Sequence, residues 1–177
     1  MTHATPVDHY GTQYGQFATA LYAQIRLETF GEDIGQNGWL TAEEQDLFVS
    51  WLALEPGDRL LDVACGSGGP TLRVARRTGC AVHGIDLHEQ AVREARARAT
   101  AAGLDVRATF DHVDGSGRLP FPHGSFDAAT CIDAVNHLPH RPQIFAEWAR
   151  VLGAGGRLVF TDPIVVTDPQ IRDAFPR

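Results

Sequence analysis

Leu61-Asp62-Val63-Ala64-Cys65-Gly66-Ser67-Gly68-Gly69 is the stretch on which the reading of this chain turns. An apolar run, Leu60 to Ala64, passes directly into a glycine-rich turn, and a helix is expected from Thr71 to Arg77. Gly66 and Gly68 carry no side chain, so the backbone turns tightly and a flat ligand comes within contact distance. A dinucleotide-binding turn has the form Gly-x-Gly-x-x-Gly, with a third glycine for close helix packing. Here that third place is Thr71. Asp62, just ahead of the turn, would crowd a pyrophosphate with negative charge but suits a ligand that carries an ammonium group. An amino-acid-bearing nucleoside is therefore favoured over a nicotinamide dinucleotide.

Outward from the turn the pattern repeats. Apolar runs at Ala81 to Ile85, Val106 to Phe110, Phe126 to Ile132 and Leu158 to Phe160 alternate with helical stretches at Glu89 to Ala102 and Gln143 to Leu152. Strands buried on both faces read as continuous apolar runs, and parallel strands need crossover connections. The alternation thus predicts an α/β fold with a Rossmann-like, doubly wound, mainly parallel sheet preceded by N-terminal helices. Ligands in such sheets lie at the carboxyl ends of the strands. Asp86 closes the second run at about the twenty-residue offset of a ribose-binding carboxylate. Asp114 and Gly115 follow the third run, where an acid accepts from the exocyclic amine of an adenine.

Upstream, Tyr10 to Phe30 is helix-permissive, with an apolar face of Tyr14, Phe17, Leu21, Ile25 and Leu27 expected to pack on the core or act as a lid. Gly31 to Trp39 reads as a loop, and Thr41-Ala42-Glu43-Glu44 has the capping-box form that opens a helix to about Leu54. Residues 1–55 are thus expected to form a helical lid segment, 56–163 the ligand-binding core, and 164–177 the start of a truncated C-terminal region. With 177 residues and 44% hydrophobic content, a single domain is expected. A net charge of −7 with scattered arginines argues against a nucleic-acid partner and fits a small molecule. The three cysteines show neither a disulfide framework nor metal spacing, and no metal is expected. No signal pattern opens the chain and no run approaches the roughly 18 apolar residues of a membrane span, so a cytoplasmic protein without membrane attachment is expected.

This constellation resembles the class I methyltransferases that use S-adenosylmethionine (SAM), from about Trp39 through Pro163. The likeness is to the small-molecule group with sugar O-methyltransferases, glycine and sarcosine N-methyltransferases and quinone C-methyltransferases. It rests on Asp62 to Gly68, Gly84-Ile85-Asp86, Leu119-Pro120-Phe121-Pro122-His123-Gly124-Ser125-Phe126-Asp127, and Leu152-Gly153-Ala154-Gly155-Gly156-Arg157-Leu158. The last two segments are rather specific for that family. The resemblance implies that Asp62, Ala64, Gly66 and Gly68 hold the methionine end of SAM. Asp86 would hold the ribose, Asp114 and Gly115 the adenine, and Leu87 would pack on the adenine face. Ile132 would join the site from the fourth strand, and Trp39 would either close over the cofactor or anchor the N-terminal helices.

The implied reaction is methyl transfer to an O or N atom of a small molecule. A hydroxyl nucleophile benefits from a general base, whereas an amine needs only to arrive unprotonated. By the resemblance, His137 is the candidate base and Asp162 an acid on the opposite wall; the alternatives are a histidine packed beside the following helix and an ordinary turn residue before Pro163. The family sheet has seven strands, and Ile164 to Arg177 cannot supply the last two, so the C-terminal strands are expected to be missing. The fifth strand would then be an open edge, available to a homo-oligomer. The competing expectation is a catalytically silent or truncated nucleoside-binding module.

Overall fold

The computed structural model describes Tyr14, Gln16 and residues 19–162. Helices α1 (Ala20–Phe30) and α2 (Ala42–Leu52) precede alternating strands and helices: β1 (Arg59–Val63), α3 (Gly69–Thr78), β2 (Ala81–Asp86), α4 (Glu89–Ala101) and β3 (Ala108–His112). Then come β4 (Phe126–Cys131), a 3-10 turn (Val135–His137), α5 (Arg141–Val151) and β5 (Leu152–Phe160). The five strands form one parallel sheet in the order β3-β2-β1-β4-β5. The chain walks outward from β1 to β3 and then returns to lay β4 on the other side of β1, so the strand order switches beside β1. A crevice opens at the carboxyl ends of strands at such a point.

The side-chain alternation of the strands divides the interior into two layers. Leu60, Val82, Ala108, Phe110 and Ala128 face Leu72, Val74, Val92 and Ala95 of α3 and α4. Leu61, Val63, Ile85, Ala129 and Cys131 face Ile144, Trp148 and Val151 of α5. Gly84 is the narrow point of the first layer: a Cβ there would lie 2.5 Å from Phe110 Cδ1 and 2.8 Å from Cys65 Sγ.

The segments expected to be family-specific have visible structural work. Glu147 Oε1 accepts from Leu119 N at 2.8 Å, while Arg150 donates to the carbonyls of Phe121 and Leu119 at 2.8 and 3.1 Å. These bonds fasten the segment before β4 onto α5. The sequence pattern ends a helix at Leu152 and starts the fifth apolar run at Leu158. Instead β5 begins at Leu152, paired with Phe126, and the ladder resumes at Arg157, paired with Ala128. Gly153 to Gly156 are extra residues taken up as an irregularity in one strand, which glycine tolerates. β5 forms one edge of the described sheet.

Two further expectations are corrected. Val106 does not open β3; it is 96% exposed in a turn closed by Arg107 N and Ala108 N donating to Leu104 O, and the strand runs on to His112. The apolar face expected on the first helix is a packing face only in part: Tyr14 is buried, but Leu21, Ile25 and Leu27 are exposed, and the buried residue of α1 is Arg26. Its guanidinium grips Asp33 of the next loop, Nε to Oδ1 at 2.6 Å, so an ion pair rather than apolar contact orients this helix. Phe17 and residues 164–177 lie outside the described residues. α2 behaves as its capping box predicts: Glu44 N donates to Thr41 Oγ1 at 3.1 Å and Thr41 N to Glu44 Oε2 at 3.0 Å. No helix among the described residues is long and apolar enough to cross a membrane.

Overpacking a well-filled layer costs about 1–3 kcal/mol. Gly84→Ala is expected to lower stability by about that amount, read as a lower urea midpoint with an unchanged slope.

Candidate active site

β1 delivers the chain into an unusual backbone conformation. Ala64 has φ of +59°, Gly66 +55° and Gly68 +73°, so three left-handed residues reverse the chain before α3. The turn is held from the next strand: Gly66 N donates to Asp86 Oδ2 and His88 N to Asp86 Oδ1, both at 2.8 Å. Asp86 thereby joins the β1 turn to the start of α4 while remaining 5% exposed.

Asp62 lies buried beneath the same turn. Oδ2 accepts from Thr71 Oγ1 at 2.5 Å and Oδ1 from Thr130 Oγ1 at 2.9 Å. Thr71 occupies the place of the third glycine in a dinucleotide turn, so the departure from that pattern has a structural use. Burial raises the Asp62 carboxyl to about 6, the two threonine hydrogen bonds oppose the rise, and the charge of Asp86 adds to it. Asp114, more exposed, is lowered by hydrogen bonds from Ser116, whose N donates to Oδ1 at 2.8 Å. Burial and the charges of Asp62 and Asp86 push the Cys65 thiol well above its usual range, which keeps it protonated and unsuited to nucleophilic work.

A cavity of about 390 Å³ opens over these strand ends. Asp62, Ala64, Gly66, Asp86, Leu87, Asp114 and Gly115 line it, joined by Trp39, Ile132 and His137 from the other side. Trp39 is 80% exposed at the rim, and its backbone N–H donates to Asp133 Oδ2 at 2.7 Å. His137 sits in the 3-10 turn after β4, its Nε2 lying 3.2 Å from Asn136 Nδ2. Two expected residues are elsewhere. Gly68 does not line the cavity; it caps α3, and a Cβ there would come within 2.8 Å of Ala95 and 2.9 Å of Phe110. Asp162 does not line it either: both its oxygens are taken by Arg141, at 2.6 and 3.0 Å.

The structure adds lining residues that the sequence reading passed over. Thr130 and Thr71 hold Asp62, and Asp133 binds both the Trp39 backbone and Thr161 Oγ1. Gln36 and Asn37 were read only as loop residues, yet both face the cavity. Their signal was weak because loop amides are common and nothing in the spacing ties them to Gly66. Leu40, Phe48, Val49, Leu52 and Leu138 give the cavity an apolar lining beside these acids.

Residues 60–156 match the family described as "Methyltransferase domain". The chain belongs to the class I SAM-dependent methyltransferases. It is similar to 27-O-demethylrifamycin SV methyltransferase of Amycolatopsis mediterranei, 35% identical over 178 residues, which is 96% of this chain and 63% of that protein. It is also similar to 24-methylenesterol C-methyltransferase 2 of Oryza sativa, 40% identical over 120 residues, covering 67% of this chain and 32% of the relative. Among solved structures it resembles the [4+2]-cyclase SpnF, with a TM-score of 0.71 and 31% identity over 89% of this chain and 62% of that one. It further resembles geranyl diphosphate methyltransferase in complex with GPP and sinefungin, with a TM-score of 0.64 and 28% identity over 68% of this chain and 45% of that one. The chain spans less than two thirds of the length of these relatives.

SAM is the cofactor of this family, and the residues present suit it. Acids stand at the ends of β1 and β2 and just beyond β3, in the order in which a cationic amino-acid tail, a ribose diol and an adenine amine would need acceptors.

The Asp62 environment fixes a pH dependence. A buried carboxyl raised from 3.8 to about 6 costs about 3 kcal/mol of stability when ionised. The unfolded chain loses this proton first, so the penalty is complete above about pH 7 and is relieved as pH falls through 6 toward 4. Asp62→Asn is therefore expected to be more stable than the parent at pH 8, with the difference shrinking by about 1–2 kcal/mol at pH 5. Urea titrations of both proteins at the two pH values check this; a pH-independent difference would contradict it.

Proposed function

We propose that this chain is the cofactor-binding core of an enzyme that transfers a methyl group from SAM to a hydroxyl oxygen of a predominantly apolar small molecule. The observation that carries the reading is one cavity lined by Asp62, Asp86 and Asp114 at one side, His137 at another and an apolar wall between α2 and Leu138. The Amycolatopsis relative, named for an O-methyl transfer, supports an oxygen acceptor.

When bound, SAM supplies an electrophilic methyl carbon on a sulfonium, reactive enough that alignment provides most of the acceleration. Asp86 accepts from the ribose hydroxyls with the lone pairs left by Gly66 N and His88 N. Asp62 accepts from the ammonium of the tail, and this cation returns its carboxyl toward the ionised form. Asp114 and Gly115 receive the adenine edge. Leu40, Phe48 and Val49 exclude water and seat the apolar body of the acceptor. His137 takes the hydroxyl proton at the cavity mouth, a role that an imidazole fills near neutral pH. Asp162, held by Arg141, takes no part in the transfer on this reading and instead fixes the end of β5 against the start of α5.

A second reading has specific support. The rice relative is named a C-methyltransferase, and an alkene carbon attacks without prior loss of a proton. Calorimetric titration with SAM and S-adenosylhomocysteine tests the cofactor site, and a chain that binds neither contradicts the proposal. His137→Ala is expected to reduce methyl transfer to a hydroxyl acceptor about 100-fold or more while SAM affinity stays within about twofold; an unchanged turnover selects the carbon acceptor. Asp86→Ala is expected to weaken SAM binding about 10- to 100-fold, since a charge-assisted acceptor is lost and the glycine turn loses its tie.

A further inference from the structure

The loop between α1 and α2 presses two carboxamides against the glycine turn, and in each the oxygen is engaged while the nitrogen is not. Gln36 is 3% exposed. Its Oε1 accepts from the Ile34 backbone N–H at 3.1 Å, which fixes the orientation of the amide, because a flipped amide would set one donor against another. Its Nε2 is buried and has no partner among the described residues. Asn37 lies beside it: Oδ1 accepts from Ser67 Oγ at 2.7 Å, and Nδ2 is buried with no partner among the described residues. Both residues line the cavity. Buried N–H groups almost always find an acceptor, so two neighbouring unmatched ones in an open cavity mark the seat of a ligand acceptor.

The charge of the cavity says which acceptor that is. Asp62, Asp86, Asp114 and Asp133 line it, and no arginine or lysine is among the described lining residues. An anionic group entering here finds no cation, and carboxylates repel it from the strand ends. The two neutral amide donors offer a means of holding it that needs no arginine or lysine. An α-amino acid tail has the matching shape: an ammonium for Asp62 and, on the same carbon, a carboxylate for a pair of amides.

We infer that Gln36 and Asn37 receive the α-carboxylate of the amino-acid tail of the sulfur nucleoside, an assignment that rests on the proposed cofactor site. The tail then bridges the N-terminal loop and β1, and the chain distinguishes nucleosides by whether they carry that carboxylate. Neither amide touches the reacting atoms; their work is to set the tail, and with it the sulfur, relative to the sheet.

Calorimetry on the chain as it stands tests this with three probes. These are S-adenosylhomocysteine, its decarboxylated analogue with the amine retained, and 5′-methylthioadenosine, which lacks the whole amino-acid tail. The parent is expected to bind the decarboxylated analogue about 10- to 100-fold more weakly than S-adenosylhomocysteine, as for loss of hydrogen bonds to a charged group. Gln36→Met and Asn37→Ala are each expected to weaken S-adenosylhomocysteine about 10-fold or more and to leave the other two probes within about twofold. Methylthioadenosine binding reports that a variant is folded, and the comparison of probes on the parent stands if a variant is not. Equal losses for all probes, or equal affinity of the parent for S-adenosylhomocysteine and its decarboxylated analogue, overturn the assignment while leaving the cofactor site intact. A parent that binds none of the three overturns the cofactor reading itself.

Discussion

Two backbone N–H groups converge on the buried carboxylate of Asp86, and the geometry of the cavity depends on that junction. One comes from Gly66 in the turn after β1 and the other from His88 at the head of α4. The junction ties the end of β1 to that of β2, next to the switch in strand order between β1 and β4, and the cavity opens over these strand ends. Backbone strain is accepted in the same place. Ala64 holds a left-handed conformation that costs an alanine about 1 kcal/mol or more, and the surrounding hydrogen bonds maintain it. Removing the carboxylate would therefore release the turn as well as the proposed ribose contact.

The other half of the cavity is built by a segment that the sheet does not contain. The loop and helix before β1 are attached through a small apolar cluster of Ile34, Leu40 and Ala42, through Leu52 in the first core layer, and through polar contacts: Arg73 to Glu32 and Asp46, and Gln45 to the Pro70 carbonyl. Asp133, after β4, reaches back to the Trp39 backbone. Several of these are partly exposed ion pairs, individually worth little, whereas the two interior layers bury large apolar side chains. The N-terminal wall of the cavity thus has a smaller apolar core of its own than the sheet beneath it.

This difference explains which features could be read from the sequence. The glycine turn, the acids at the strand ends and the alternation of strands and helices are local patterns and appear in the predicted order, with β3 starting at Ala108 rather than Val106. Elements decided by distant partners were harder to place. β5 begins at Leu152 because Phe126 pairs with it across a glycine irregularity that carries no strand signal. Leu21, Ile25 and Leu27 have helical spacing, but Arg26 decides which face of α1 is buried. Asp162 stood at a suitable strand end, and only the position of Arg141 shows that its oxygens are taken. Gln36 and Asn37 acquire meaning from Ile34 and Ser67, which no spacing rule connects to them.

The acidic floor has a consequence for traffic through the site. A sulfur nucleoside is a cation before it gives up its methyl group and neutral at sulfur afterwards. Four carboxylates unaccompanied by lysine or arginine among the described lining residues attract the first form more strongly than the second. Under the proposed reaction, the acidic floor therefore favours the sulfonium donor over the spent thioether by the one positive charge that the transfer removes.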